Sequence, residues 1–578
     1  MERRWLLVFL LGGLAMGAKA QTALRLEQLE RCGDLLDTQH QVFCLRANGL
    51  ASGPVQAWLG GAAKSTEREG DRLRLTLQTG TDASGPVRLE QGGRSSNSVW
   101  LSMAGNHVIA AKPNEMATNA EGLSTYLNLV SVVIQERYDG LDQARQLAQK
   151  YGASLVGAIP ALNTWQLRLP VKSLMERDAL LLRLSHEVGV DAIVIEESSS
   201  EEAEREAPAP AASHDEWAAN RFADALNYYR RRVAARGAEV APTPIRIGVI
   251  ERNVDFDSAD FAEYVGPCAL PRTCLYARDA QSPQAHGSTV AGVLMAHWQK
   301  GGNTGFLRGL EGVSKGFEVI VERDSDAGIT ANVAASVNLV EDGARVLNWS
   351  WGLQRLGTRT LEGAQADTLA RSGLAMAGYG ELLEVFFRWL KDKHPEVLVI
   401  NSAGTAAAAA AGQDEYRLPS SFITDQLLVV GGHQRSDLQD VPVNSPDYAV
   451  RRASSNLDRR VDIAAAACTH GVDPGTDGEG SLHCGTAFAT PMVTGVVAAM
   501  LSINPQLTPP QLRTLLRRSA MPIGAEDDFE PAAGEALTAP IRPSERNFDL
   551  SHPDVGRSAR LDMQKALELT VQSLDRRR

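Results

Sequence analysis

Apolar and polar residues change rhythm several times along this chain, and each rhythm predicts a different kind of structure. Between Val42 and Met103, runs such as Val55-Gln56-Ala57-Trp58-Leu59, Leu73-Arg74-Leu75-Thr76-Leu77 and Ser98-Val99-Trp100-Leu101 are separated by Gly, Ser and Asn clusters. A period of two puts alternate side chains on one face, so the pattern predicts short strands packed as a small β-sandwich. From about Leu127 the reading becomes strand, helix, strand, strand, helix, strand, over residues 129–135, 141–151, 153–159, 165–169, 173–184 and 190–195. That is an α+β layer with two helices on one sheet. Residues 196–216 are Glu, Ser, Ala and Pro with almost nothing to bury, which predicts a flexible linker. A helix is expected over 216–235. The run Ile245-Arg246-Ile247-Gly248-Val249-Ile250 then opens the longest region, where strand and helix patterns alternate to about residue 569. Such alternation predicts a parallel sheet covered on both faces. The expected class is therefore α/β, preceded by an α+β domain and a β-sandwich. The boundaries are 21–115 for the sandwich, 120–197 for the α+β domain, 198–216 for the linker, 217–570 for the α/β domain and 571–578 for a tail.

The first twenty residues stand apart. Arg3 and Arg4 precede an apolar run from Trp5 to Met16, and Ala18-Lys19-Ala20 supplies small residues before Gln21. This has the form of an export signal. The run is too short to span a bilayer, and no later segment reads as apolar enough to do so. The mature chain is expected in the periplasm or outside the cell. Six cysteines fall into near pairs, Cys32 with Cys44, Cys268 with Cys274 and Cys468 with Cys484, and in an oxidising compartment local disulfides are the simplest connectivity. Charge excludes a class of partner. The formal net charge of −12, made more negative when Glu2, Arg3, Arg4 and Lys19 are removed, comes with no basic patch and argues against nucleic acid.

Several segments resemble known families. Ser84-Gly85-Pro86-Val87-Arg88-Leu89 followed by Gly92-Gly93-Arg94-Ser95-Ser96-Asn97 resembles the last hairpin of a TIG-type immunoglobulin-like domain, which implies a binding or spacer module. Ala148-Gln149-Lys150, Tyr151-Gly152-Ala153 and Ala161-Leu162-Asn163-Thr164-Trp165-Gln166-Leu167 resemble the propeptide of bacterial subtilases. That resemblance implies an intramolecular chaperone and inhibitor lying against an active-site face. Further on, motifs follow in the order found in the subtilase family. Residues 245–261 resemble the strand that ends in the acidic member of the triad, with Glu251 where the family has Asp. His286-Gly287-Ser288-Thr289-Val290-Ala291-Gly292 resembles the helix opening that carries the base, His286. Ala344-Arg345-Val346-Leu347-Asn348-Trp349-Ser350-Trp351-Gly352 resembles the turn lining the specificity pocket, so Ser350, Trp351 and Gly352 are the implied substrate-binding residues. Val397-Leu398-Val399-Ile400-Asn401-Ser402-Ala403-Gly404-Thr405 resembles the strand before the oxyanion asparagine, with Thr405 in that place. Gly485-Thr486-Ala487-Phe488-Ala489-Thr490-Pro491 resembles the nucleophile motif, with Ala487 in the place of Ser.

These departures carry unequal weight. Glu251 is mild, because a carboxylate one methylene longer still orients an imidazole. Thr405 offers a shorter donor, and losing one oxyanion donor costs on the order of 10² to 10³ in rate. Ala487 is decisive, because no oxygen remains to form an acyl-enzyme; in a subtilisin, removing the nucleophile costs about 2 × 10⁶ in turnover. Thr486 leaves the backbone in another direction, and Cys484 is expected in a disulfide. A laboratory Ser-to-Ala exchange would account for Ala487 but not for Glu251 and Thr405. His286 has a plain reading as a partly buried imidazole bonded to Glu251, and Trp349 and Trp351 read equally as an aromatic wall or as sheet core. No cofactor is expected; structural calcium is common in subtilases, but no acidic loop here names its ligands. The expectation is an exported homologue that has lost hydrolysis and binds protein or peptide. Two alternatives stay open: an active endopeptidase, and a scaffold that binds through its sandwich.

Overall fold

The computed structural model describes residues 22–198, 216–235, 244–251, 253–277, 285–297, 304–322, 328–355, 368–404, 417–452, 461–471, 481–523 and 559–575. Its helices are α1 (Gly140–Tyr151), α2 (Leu174–Ser185), α3 (Phe222–Tyr228), α4 (Ala285–Met295), α5 (Gly328–Glu341), α6 (Gly373–Lys393), α7 (Thr486–Ile503), α8 (Pro509–Ser519) and α9 (Met563–Asp575). The export-signal residues 1–20 and most of the expected linker lie outside the described residues.

Alternation in the N-terminal region produces a sandwich. Arg25–Arg31, His40–Asn48, Arg72–Gln78 and Glu67–Glu69 form one antiparallel layer. Gln56–Leu59, Gly85–Gln91 and Val99–Leu101 belong to the other, and Leu73, Leu75 and Leu77 share a buried core with Ala57, Leu59, Val87 and Leu89. Gly92 (φ 59°) and Gly93 (φ 76°) supply the positive φ pair that a tight hairpin turn requires between Gly85–Gln91 and Arg94–Ser95. Cys32 and Cys44 are joined across this region. The second layer is not a separate body. Val99 pairs in parallel with Ala277, which makes it an extension of the large sheet behind it. The Trp100 indole donates to Asp342 Oδ2 at 3.0 Å, Ser84 Oγ donates to Asp342 Oδ1 at 2.5 Å, and the Arg246 guanidinium lies 4.7 Å over the Trp100 ring.

The α+β domain follows the predicted order. Its antiparallel sheet runs Ser154–Ile159, Thr164–Arg168, Ser124–Ile134, Val190–Ser198. Asp139 accepts from the Asp142 amide to start α1, Gly152 (φ 65°) ends it, and Ser173 accepts from the Glu176 amide to start α2. Its last strand corrects the linker reading, which began at Glu196. Glu196 and Glu197 are buried. Glu196 accepts from the amides of Ile329 (3.0 Å) and Thr330 (2.9 Å), from the Thr330 hydroxyl, and from Tyr379 Oη (2.7 Å). Glu197 accepts from the Ser372 amide (3.0 Å) and hydroxyl (2.8 Å). Two adjacent carboxylates thus sit on the starts of α5 and α6, where unpaired amides and the helix dipole favour negative charge. A Cβ on Gly328 (φ 80°) would strike the Glu196 carboxylate, so glycine makes that approach possible.

The α/β domain is built on parallel strands lying in the order Cys274–Ala277, Phe317–Val321, Ile245–Val249, Val346–Trp349, Leu398–Ser402, Leu427–Arg435, Ile463–Ala466. Numbered along the chain this is 2-3-1-4-5-6-7, so the winding reverses at Ile245–Val249. Every residue of Phe317–Val321 and of Val346–Trp349 is buried, as expected of strands covered on both faces. Ala559–Arg560 extends the far edge in parallel and Met521–Pro522 closes it in antiparallel.

Three sequence expectations need correction. α7 is long and apolar enough to cross a membrane, contrary to the reading that no such segment exists, but all of its residues are buried inside this domain. The helix expected over 216–235 is broken. A 3-10 turn, Glu216–Asn220, precedes Arg221 at φ 53°, and α3 continues as a π-helical turn, Tyr229–Val233. The break places buried Asn220 as a hub that donates to Leu561 O (2.8 Å) and accepts from the Ala466 amide (2.9 Å) and His433 Nε2 (3.1 Å). Burial, with a lesser push from Arg560, lowers His433 to about 3, so it donates as a neutral ring. Finally, α9 runs to Asp575 with Val571 buried, so the packed body extends past residue 570 into the expected tail.

Replacing Glu196 by Ala should destabilise the chain by about 1–3 kcal/mol, because the first amides of α5 lose a buried acceptor. Denaturant unfolding measures the loss, and faster proteolysis of the α+β domain should accompany it. A second expectation concerns Glu216, whose carboxyl burial pushes up to about 7, against the opposing pull of Arg452 and the Cys468 amide. It holds more proton folded than unfolded between about pH 4.5 and 7, so its contribution is present at low pH and lost as pH rises through that window. Glu216→Gln should therefore gain up to about 3 kcal/mol relative to the parent on going from pH 4.5 to pH 8, read from paired unfolding curves.

Candidate active site

Ligand crevices in open α/β sheets form outside the carboxyl ends of the strands where winding reverses. Here that place lies beyond Ile245–Val249. Glu251 follows the strand directly and is buried, while the Ile250 amide donates to Asn348 O (3.1 Å) and keeps the exit in line with the next strand. His286 stands in the first turn of α4. Its Nδ1 lies 3.0 Å from Glu251 Oε2, and because a carboxylate only accepts, Nδ1 carries the proton. The pair orients the imidazole with its other nitrogen on the opposite ring edge. Ser288 Oγ, in the same turn, accepts from the Asp255 amide at 3.0 Å and ties α4 to the segment after Glu251.

α7 supplies the third component. Gly485 N donates to Ala467 O (2.8 Å), next to the Cys468–Cys484 disulfide, so the hairpin of Cys468–His470 and Leu482–Cys484 fixes where α7 begins. Ala487 is 1% exposed. The ring of the following residue, Phe488, is centred 5.2 Å from His286 and 5.9 Å from His483, which brings this helix start beside the imidazole. Pro491 sits inside α7 and has no amide hydrogen, so the carbonyl four residues earlier, that of Ala487, loses its intrahelical donor. Ser350 Oγ donates to it instead, at 2.7 Å. Asn348 Nδ2 donates to Ser350 Oγ (2.9 Å), and Thr494 Oγ1 donates to Asn348 Oδ1 (2.8 Å). Asn401 Nδ2 donates to both Trp349 O and Trp351 O at 2.8 Å, and the Gly404 amide donates to Thr486 Oγ1 at 2.9 Å.

The structure thus brings Glu251, His286, Ala487 and Ser350 together. Thr405 lies outside the described residues. Trp349 and Trp351 are core: their rings are 5.0 Å apart, and Trp349 packs on Phe386 at 5.2 Å and donates to Ser336 Oγ at 3.0 Å. Gly352 opens the strand Gly352–Arg355, which is paired on both sides, with Thr368–Arg371 and with Arg417–Leu418. Cys268–Cys274 and Cys468–Cys484 are joined as expected. Sequence reasoning missed the framework of Asn348, Asn401 and Thr494, and the buried Arg417. Pro491 was the available signal, since it points to a bare carbonyl at Ala487. Among the described residues, no group of three or more His, Cys, Asp or Glu side chains could hold a metal ion.

A sheet wound 2-3-1-4-5-6-7, with a carboxylate–imidazole pair at the reversal and a wholly buried helix starting beside it, defines the subtilisin-like class of α/β fold. A family model described as the subtilase family matches residues 247–552, more than half of the chain. The chain belongs to the subtilase family. Similar solved structures include fervidolysin from Fervidobacterium pennivorans, described as a keratinolytic enzyme related to subtilisin, at 15% identity and a TM-score of 0.47 over 81% of this chain and 64% of that one. This chain therefore spans less than two thirds of fervidolysin. The epidermin leader peptide processing serine protease of Staphylococcus aureus is similar at 15% identity and a TM-score of 0.43, over 76% of this chain and 98% of that one. No curated protein matches.

Removing the Ser350 hydroxyl should leave the Ala487 carbonyl buried and unpaired. Ser350→Ala is expected to cost about 1–3 kcal/mol, whereas Ser350→Thr, which keeps an oxygen, should recover part of it. Unfolding curves of the two variants check this.

Proposed function

We propose that this chain is an exported subtilase that binds protein or peptide and does not hydrolyse it. The observation behind this reading is the oriented His286–Glu251 pair beside a helix start whose residue, Ala487, offers only carbon. The acyl-enzyme route of a serine peptidase needs a bond from a side-chain oxygen to the scissile carbonyl. His286 has the neighbour that would hold it as a base, but Ala487 gives it no hydroxyl to deprotonate. Ser350, Asn348 and Thr494 form a circuit that holds the Ala487 backbone without using its side chain.

The α+β domain fits the same reading as an intramolecular cover. Glu196 and Glu197 seat it on α5 and α6, and a chain without a nucleophile has no means of cutting itself between residues 198 and 216. Three disulfides agree with export to the periplasm or beyond. The ligand class is inferred from the family's chemistry, in which extended peptides are held by main-chain hydrogen bonds that require no nucleophile.

The test is incubation of the purified native chain with a fluorophosphonate probe and with a broad peptide library. The native chain should take no label, cleave nothing and run as one polypeptide. Ala487→Ser should gain labelling and amidolysis, by about 10³ to 10⁴ over background, since the shorter donor at Thr405 remains. Covalent labelling of the native chain within this crevice, or peptide cleavage that survives repurification, overturns the proposal.

A further inference from the structure

We propose that the Cys468–Cys484 bridge is a site of thiol–disulfide exchange: the thiolate of a small monothiol attacks Cys484 Sγ and displaces Cys468 beside Arg452, which loosens the start of α7. The bridges of this chain differ in what surrounds their sulfurs. Arg452 Nη1 lies 3.2 Å from Cys468 Sγ. The same guanidinium donates to Gln434 Oε1 at 3.4 Å and is attracted by Glu216, so more than the sulfur anchors its charge at this spot. At Cys268 and Cys274 the sulfurs meet oxygen instead, with Thr273 O at 3.8 Å and Arg272 O at 3.6 Å. A cation favours a departing thiolate and a carbonyl oxygen opposes it, and a thiol of lower pKa leaves faster. Burial sets the direction of attack. Cys468 is 3% exposed whereas Cys484 is half-buried, so Cys484 is the sulfur that an external thiol reaches. As the new bond to Cys484 Sγ forms, the bond to Cys468 breaks and its electron pair stays on Cys468. One disulfide replaces another, with no net oxidation or reduction.

Position connects this exchange to the crevice. Cys468 and Cys484 stand directly opposite each other in their hairpin, and the residues next to them, Ala467 and Gly485, share the 2.8 Å hydrogen bond from which α7 starts. The hairpin also rests on α4, because a Cβ on Gly471 would strike both the His483 ring and Thr289 Oγ1. The Phe488 ring lies against His286 and His483, at 5.2 Å and 5.9 Å. A single two-stranded ribbon thus touches the helices that carry His286 and Ala487, and the bridge is its covalent tie across the strands. Such a ribbon adds little stability of its own once that tie is open.

The experiment treats the full native chain with excess reduced glutathione, traps early time points with N-ethylmaleimide and maps the products by mass spectrometry. Cys484 should carry the glutathione while Cys468 is trapped as the free thiol. Glutathione mainly on Cys468, or a bridge still intact after prolonged incubation, overturns the proposal. Arg452→Gln removes the cation and should slow exchange at Cys484 by about tenfold or more, with the rate at Cys32–Cys44 unchanged as the internal reference; Arg452→Lys should recover most of the loss. A rate in Arg452→Gln equal to that of the parent, or above it, overturns the role of Arg452. Should that variant not fold, the sulfur that carries glutathione in the native chain still decides the assignment. Hydrogen exchange reads the consequence: amides within 482–492 should exchange faster once Cys484 is modified, while those of α9 keep their protection. Unchanged protection at the start of α7 overturns the link between this bridge and the crevice.

Discussion

The crevice depends on one carbonyl that its own helix cannot satisfy. Pro491 removes the donor for Ala487 O, so the start of α7 needs a hydrogen bond from elsewhere, and the Ser350 hydroxyl provides it. Ser350 is in turn oriented by Asn348, and Asn348 by Thr494 on α7 itself. The helix and the strand are therefore locked in a closed circuit of buried polar groups. Each member is paired, so the circuit rigidifies the site; a single deletion would expose the low-dielectric penalty of the remaining partner. The positions of Ala487 and Phe488, and through Phe488 the surroundings of His286, follow from this lock.

A second constraint joins the three domains through α5. Its first amides are held by Glu196 of the α+β domain, Asn338 exchanges hydrogen bonds with Asn106, and Asp342 just beyond its end accepts from Ser84 and Trp100 of the sandwich. Burial pushes the Asp342 carboxyl up while Ser84, Trp100, Ser102 and Arg246 hold it down, so the ionised form rests on contacts supplied mainly by another domain. The sandwich is thus part of the rigid body around the crevice. The deep seat of Val99 beside Ala277 makes the same point through the backbone.

Much of this was legible in the chain, and the reasons for the misses are physical. The sandwich and the α+β order follow from local period and capping, as with Asp139, Gly152 and Ser173, and these emerged nearly residue for residue. Glu196 was misread because local composition sees only Glu and Ser before an apolar-poor stretch; its partners on α5 are more than a hundred residues away. The helix at 216–235 was predicted whole because nothing local announces that Asn220 serves three distant partners. Trp349 and Trp351 carried two equal readings, and only long-range packing decided between them: Trp349 packs on Phe386, and Trp351 joins the same core through Trp349. Arg417 gave no signal at all, since a lone arginine in sequence is ordinarily solvated.

The same framework explains how such a site can keep its form without its chemistry. None of the bonds that hold Ala487 uses its side chain, so exchanging a hydroxyl for hydrogen at that Cβ leaves the fold's accounts untouched. The His286–Glu251 pair survives for an independent reason. Glu251 is a buried carboxylate, and stripping away the imidazole would remove one of the donors that compensate its desolvation. An oriented imidazole is therefore what this fold's stability requires, whether or not a nucleophile stands opposite. Position 487 is different, because there the bonds that hold the fold do not dictate the side chain.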